Sequence, residues 1–441
     1  MSMGGGTFTV QNKILPGSYI NFVSTASAAT LGERGTAALP LELDWGPEGQ
    51  IYALEAGEFN QTALKVFGHD ATAAELLLIR EALKRCSTLL VYRVNAGGAK
   101  AGATVGGMTI TARWGGTRGN SLRAAVQANA DDEEKVDVVT YLEEQEVDRQ
   151  TVAASGGAAD LKANDFVSFG TAETLTAAAA TALTGGTNGT VNGAAYAAWL
   201  TALEVEDFNA VGYPGTDESV KALVDAFVKR LRDEDGRKVV GVLYQHAGDD
   251  IGLISVKNGV VLTDGTVLTG DKAVAWVTGA TAGAESLTNT AYDGAVDVDV
   301  KYTRGQYEQA MQAGEFVFYP DGGKARVLSD LNSRTSFGGG ISEDWTSNRV
   351  VRVMDGWAND VARTFSQSYL GTQTNSETGR ALFKADLVAL GKEYEGIDAI
   401  SGFAPDDVTV LQGDGKRDVS VACALTPNDS MEKLYMTVAV H

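Results

Sequence analysis

The stretch DESVKALVDAFVKRLRDEDGRKVVGVLY, Asp217–Tyr244, decides the fold class. Val220, Leu223, Val224, Phe227 and Leu231 recur at three- and four-residue spacing, which puts an apolar stripe along a helix over Asp217–Arg232. A polar turn follows, and Lys238–Tyr244 reads as a strand. The alternation repeats on both sides. Upstream, Ala194–Leu203 reads as a helix and Phe208–Val211 as a strand; downstream, Gln306–Gln312 reads as a short helix and Phe316–Tyr319 as a strand. Such alternation implies a layered, partly parallel sheet, so residues 182–340 form an α/β domain.

With 441 residues the chain is long enough for several cores. Residues 24–96 continue the α/β character, with Leu76, Ile79 and Leu83 on a helix over Ala73–Arg85 and a buried strand over Thr88–Val94. Gly97, Gly98, Gly102, Gly106 and Gly107 read as a linker. Behind them Met108, Ile110, Ala112 and Trp114 alternate with polar residues, and Val136–Tyr141 and Glu146–Ala153 repeat the pattern. Residues 97–181 are therefore expected to be an inserted, sandwich-like β domain, with Asp131–Glu134 as a solvated turn. Residues 341–430 read as α+β, with helices near Trp345–Tyr369 and Ser376–Tyr394 and strands over Val408–Leu411 and Val419–Ala424.

Both ends look like extended arms. In residues 1–23, Phe8, Val10, Tyr19, Ile20 and Phe22 carry strand character between glycines. In residues 431–441, Leu434, Met436, Val438 and Val440 alternate with Tyr435, Thr437 and Ala439. Such a strand exposes an edge unless it pairs in its own domain, which the pattern alone allows more readily, or adds to a neighbour's sheet, a reading that the strand-like N-terminal arm strengthens.

The net charge of −21, from 36 Lys+Arg against 57 Asp+Glu, repels phosphate backbones and argues against a nucleic-acid partner. Cys86 and Cys423 have neither metal spacing nor the number for a disulfide framework, and are expected as reduced thiols. The opening Met1–Gly6 has no basic-then-apolar pattern and reads as no signal peptide. No window has the long apolar run of a membrane span.

Chemistry finds little to work with. Of the histidines His69, His246 and His441, only His246 stands where an α/β enzyme holds a base, just after a strand. No Gly-x-Ser-x-Gly elbow supplies it a nucleophile. Gly185–Gly189 and Gly115–Gly119 lack the Lys-Ser/Thr of a phosphate loop. Asp249-Asp250 and Asp293, Asp297 and Asp299 lack EF-hand spacing. The expectation is no catalytic residue, no cofactor and no metal.

The segment Gly5–Lys13 with Pro16–Phe22 resembles the opening of contractile tail sheath proteins, as found in myophages of Gram-positive bacteria, defective-phage particles and tail-like bacteriocins. The resemblance continues in Arg34-Gly35, Trp45-Gly46-Pro47, Asn348–Arg352 with Asp355, Tyr369-Leu370-Gly371, Asn375 and Gly379-Arg380, and closes on Asp429–Val438, its most specific piece. It implies a subtilisin-like α/β core without protease chemistry and a sandwich insertion. It also implies a C-terminal domain facing the tail tube, and terminal arms that complete neighbours' sheets. The implied partners are further copies of the chain in a helical lattice, the tail tube protein, and the baseplate and tail terminator proteins, with no nucleic acid and no membrane insertion. The implied place is a virion or bacteriocin particle assembled in the host bacterial cytoplasm. Arg349, Arg352, Arg380 and Lys384 are the residues expected to face the tube. Two other classes compete: an α/β hydrolase using His246, and an exported surface-layer protein or adhesin, which would need an export signal.

Overall fold

The computed structural model describes residues 5–6, 18–19, 35–284, 286–338, 340 and 342–439, with backbone alone for residues 5–6 and 18–19. Gly5–Gly6 pairs in parallel with Ser18–Tyr19. The side chain of Tyr19 and the arm residues Phe8, Val10, Ile20, Phe22 and Val440 lie outside the described residues. The chain divides into two compact units, with boundaries at Asp355/Gly356 and Asn428/Asp429.

The larger unit is built on a seven-stranded sheet. Its order is Glu315–Phe316, Leu253–Val256, Val240–Tyr244, Ala210–Tyr213, Thr36–Leu41, Thr88–Arg93, Ile51–Glu55. Every pair is parallel except the last. Strand alternation sends Ala38, Leu90 and Tyr92 to one face and Ala37, Leu39, Leu89 and Val91 to the other. Gly193–Leu203 and Glu218–Asp233 cover the first face with Trp199, Val224, Phe227 and Leu231. Asp217 caps the second of these helices by accepting from the amides of Ser219 and Val220. Of the predicted stripe only Leu223 stays 39% exposed.

The other face carries a helix that periodicity does not reveal. Gly270–Gly283 is buried continuously from Ala273 to Ala282, so it has no polar side to mark it. It lies between the sheet and the Leu77–Leu83 helix, and small residues let the backbones meet. A Cβ on Gly279 would sit 2.2 Å from the Ala82 carbonyl oxygen, and one on Gly212 2.0 Å from Thr278 Oγ1. Trp276 stacks on Tyr292 at 4.5 Å and closes the end of this layer.

Residues between Arg93 and Gly193 make the β-sandwich. One sheet runs Gln145–Ala153, Lys135–Leu142, Leu122–Ala128, Ala178–Ala182; the other runs Val167–Phe169, Met108–Ala112, Gly102–Val105, all antiparallel. The glycine cluster expected as a linker is corrected here, because Gly102–Val105 is a strand and Gly106-Gly107 turns it into its hairpin partner. Gly98 belongs to a close approach: a Cβ there would lie 1.9 Å from the Thr187 carbonyl. Arg93, 1% exposed, donates to the carbonyls of Gly115 (2.7 Å) and Gly46 (3.2 Å), fastening the insertion to the sheet.

The smaller unit contains the second half of the helix Asn348–Thr364, a π-helical turn at Phe365–Tyr369, the helix Glu377–Gly396 and the hairpin Val408–Gln412/Val419–Cys423. Trp357, Phe383, Leu387, Leu390, Tyr394 and Phe403 are among its buried apolar residues. The strand expected of the C-terminal arm, which belongs to the larger unit, does not form among the described residues: Leu434–Ala439 lies in no sheet there.

A Gly-to-Ala change inside a helix ordinarily stabilises by about 1 kcal/mol. Gly279→Ala should instead destabilise the protein by about 1–3 kcal/mol, through overpacking against Ala82. Urea unfolding monitored by circular dichroism gives the sign; a raised midpoint contradicts the close-packing account.

Candidate functional site

The C-terminal segment presents apolar side chains to solvent. Leu434 is 86%, Tyr435 89%, Met436 73% and Val438 68% exposed. Among the described residues, no backbone hydrogen bond ties 431–439 to the rest of the chain. Burying each such side chain is worth about 1.5–3 kcal/mol, so the segment holds unspent contact area. The smaller unit has a complementary feature. Among the described residues, the two-stranded sheet Val408–Gln412/Val419–Cys423 takes no further strand on either outer edge, and Leu411 is 60% and Val421 38% exposed.

The four cations expected on the tube side separate. Arg352 is buried and is corrected to an internal role. Its guanidinium bonds Asp330 Oδ2 at 2.5 Å, and Asp330 also accepts from Asn348 Nδ2 and the Leu287 amide, both at 2.8 Å. One turn on, Asp355 takes a bidentate pair from Arg232 at 2.6 and 2.9 Å. Arg349 is half-buried. Arg380 and Lys384 are half-buried on the Glu377–Gly396 helix. Arg380 donates to the Asn375 carbonyl (3.0 Å) and to its Oδ1 (2.9 Å).

Arg380 also lines a cavity of about 320 Å³ together with Phe365, Tyr369, Phe383, Lys416 and Arg417. Burial and the neighbouring Asp386, which accepts from the Tyr369 hydroxyl, push the phenol of Tyr369 up. Sequence reading missed Lys416 and Arg417. The Gly413-Asp414-Gly415 turn signal could have placed them together at a hairpin tip, but not beside Arg380.

The groups weighed for chemistry have separate partners. His246 Nε2 lies 2.8 Å from Asp225 Oδ2, while the Ser255 hydroxyl accepts from the His246 amide rather than from its ring. His69 Nε2 bonds Asp44 at 2.8 Å. Asp249 accepts from the amides of Thr335 (2.8 Å) and Ser336 (2.9 Å), which hold its carboxyl well below the usual range. Asp293 pairs with Arg85, Asp297 with Lys301, and Asp299 accepts from the Gly259 amide. No group of metal-ligating side chains forms among the described residues. Cys86 is buried and its thiol is pushed up to about 12, chiefly by burial; Cys423 is exposed and its thiol is pushed up to about 11. No helix among the described residues is long and apolar enough to cross a membrane.

Comparison with known proteins accounts for nearly the whole chain. Family profiles match in order: "Tail sheath protein Gp18 domain III N-terminal region" at residues 34–94, "Phage tail sheath protein beta-sandwich domain" at 96–188, "Phage tail sheath protein central domain" at 189–333 and "Phage tail sheath C-terminal domain" at 342–441. The phage-like element PBSX protein XkdK of Bacillus subtilis is 36% identical, over 100% of both chains. The solved sheath tail protein of Desulfitobacterium hafniense is 44% identical with a TM-score of 0.85, covering 96% of this chain and 99% of that one. The contracted helical sheath of the anti-feeding prophage, 14% identical with a TM-score of 0.57 over 96% and 99% of the two chains, shares the fold. The chain belongs to the phage tail sheath protein family.

Removing one partner of a buried pair leaves the other charge uncompensated. Asp330→Ala should therefore cost about 3–5 kcal/mol of stability, whereas Glu308→Ala, whose pair with Arg304 is exposed on both sides, should cost far less. Chemical denaturation of the two variants provides the comparison, and equal losses would show that Asp330 is no special anchor.

Proposed function

We propose that this chain is the subunit of a contractile sheath. It polymerises helically around a tail tube by adding its terminal arms to neighbours' sheets, and it contracts to drive the tube through a target envelope. The observation that carries the reading is that one chain holds both an exposed apolar segment, Leu434–Ala439, and a two-stranded sheet, with no strand pairing to either among the described residues. Strand addition satisfies backbone groups on both sides. Each new hydrogen bond contributes only about 0.5–1.5 kcal/mol, so the lattice draws its strength from number.

The layered sheet supports reading the core as subtilisin-like in fold, and the engagement of Ser255 away from the His246 ring supports a structural rather than enzymatic role. Contraction needs movement without dissociation, which arms provide when rigid domains shift between them. Arg380 and Lys384, with Arg349, are proposed to face the tube; Lys416 and Arg417 extend that basic set. Baseplate and terminator proteins would close the two ends of the lattice. The particle is a phage tail or a headless tail-like bacteriocin, assembled in the host cytoplasm, and the subunit design serves either.

Ending the chain after Lys433 should leave a folded, soluble subunit by circular dichroism and light scattering that forms no sheath in negative-stain microscopy. Sheaths of normal length from the truncated protein would refute arm exchange. Charge reversal at Arg380 and Lys384 together should weaken co-assembly with the tube protein, and more so at low salt than at high. Co-sedimentation with tubes across a salt series measures this; an unchanged yield at every salt removes the electrostatic contact.

A further inference from the structure

We infer that Asp429-Ser430-Met431-Glu432 is a clasp fastening the root of the C-terminal arm. Glu432 is its positioning residue, fixing the direction in which Leu434–Ala439 leaves toward a second copy of the chain. The inference rests on the arm reading above and assigns a task to the sequence motif that most specifically marks the chain's close.

Glu432 Oε1 accepts from Thr288 Oγ1 at 2.8 Å, and the carboxylate accepts from Ser329 Oγ at 3.1 and 3.2 Å. Ser430 Oγ lies 3.0 Å from Ser286 Oγ, and Ser347 Oγ donates to Asp429 Oδ1 at 2.9 Å. Polar Ser430 and Glu432 bond to the body of the unit while apolar Met431 between them is 104% exposed. In extended backbone alternate side chains face opposite ways, so docking Ser430 and Glu432 turns Met431 outward. By the same alternation Leu434 and Met436 would return to the docked side, yet both are exposed, so the chain leaves the body of the unit directly after Glu432.

The receiving surface is stiff. Thr288 Oγ1, which donates to Glu432, also accepts from the Asp330 amide at 3.0 Å, and the Asp330 carboxylate is held by Arg352, Asn348 and the Leu287 amide. The clasp is thus tied through one hydroxyl to a buried ion pair. A carboxylate only accepts, so Glu432 sets Thr288 and Ser329 as donors and is itself aimed by them. Among the described residues the attachment uses side chains alone, and the backbone beyond it makes no hydrogen bond to the rest of the chain. Holding the arm in one direction spares a neighbour the cost of ordering it on capture.

The test uses full-length subunits with a nitroxide at Lys433→Cys in a Cys423→Ser background, with Cys86 left buried. Glu432→Ala and Thr288→Val should keep the circular dichroism spectrum and thermal midpoint and free the label. They should also raise the subunit concentration at which lattice first forms by about tenfold, through lost pre-organisation. Thr288→Ser, which keeps the hydroxyl, should restore both readouts. Unchanged label mobility in Glu432→Ala, or a Thr288→Ser protein that behaves as Thr288→Val, overturns the clasp. Thr288→Val also removes the acceptor of the Asp330 amide; if it unfolds, Glu432→Ala, truncating an exposed side chain, decides alone. The chain ending after Lys433 separates the two levels. If it fails to assemble while Glu432→Ala assembles at the normal threshold, the arm stands and the clasp falls. If it assembles too, the arm reading falls first.

Discussion

A helix with no polar face folds only where protein covers every side of it, and Gly270–Gly283 imposes that condition on the larger unit. One side rests on strands drawn from three distant stretches, residues 36–41, 210–213 and 240–244; another rests on Leu77–Leu83. The contact is made by backbones at glycine and alanine, where dispersion is dense and no side chain can yield. The sheet order follows from the same site. Thr36–Leu41 lies between Thr88–Arg93 and Ala210–Tyr213, so the chain leaves for the sandwich from one neighbour of that strand and returns to the other. The insertion is bracketed by a single sheet, and its length adds only slowly to the entropy of closing it.

Where burial is one-sided, the sequence is readable. The Asp217–Arg232 stripe, the alternation through Met108–Ala112 and the helix expected near Ser376–Tyr394 all become the expected elements, because each has a wet side and a dry side. Where burial is complete, periodicity vanishes, and Gly270–Gly283 leaves no trace in the pattern. Glycine misleads for a related reason: the residue that loosens a linker is also the one that lets two backbones touch, as at Gly98. The candidate site divides the same way. The exposure of Leu434–Val438 follows from an apolar strand with no evident local partner. The burial of Arg352 does not, since it lies off the apolar stripe and its counter-ion Asp330 sits on a segment that only tertiary structure brings near. Lys416 and Arg417 meet Arg380 for the same kind of reason, through a hairpin tip folding back on a helix start.

Two buried ion pairs hold the first turns of the Asn348–Thr364 helix, Arg352–Asp330 and Asp355–Arg232. Such pairs rarely exceed well-packed apolar residues in net stability, but they tolerate only one arrangement. Their position suits a part that must keep its register. Asp330 anchors the helix start through its carboxylate and, through its backbone amide on Thr288, the place where the last segment departs, so one residue references two elements to the same point.

The hairpin Val408–Gln412/Val419–Cys423 has a consequence that is a matter of counting. A two-stranded antiparallel sheet is marginal alone and possesses two rims, one per strand. Its valence for incoming strands is therefore two, a single guest on each flank, and the third and fourth strands that make a sheet self-sufficient have to come from elsewhere. Under the arm exchange proposed above, a subunit that gives one strand and receives two is a network node rather than a chain link, and joints of that kind spread a load across several neighbours instead of passing it down a single file.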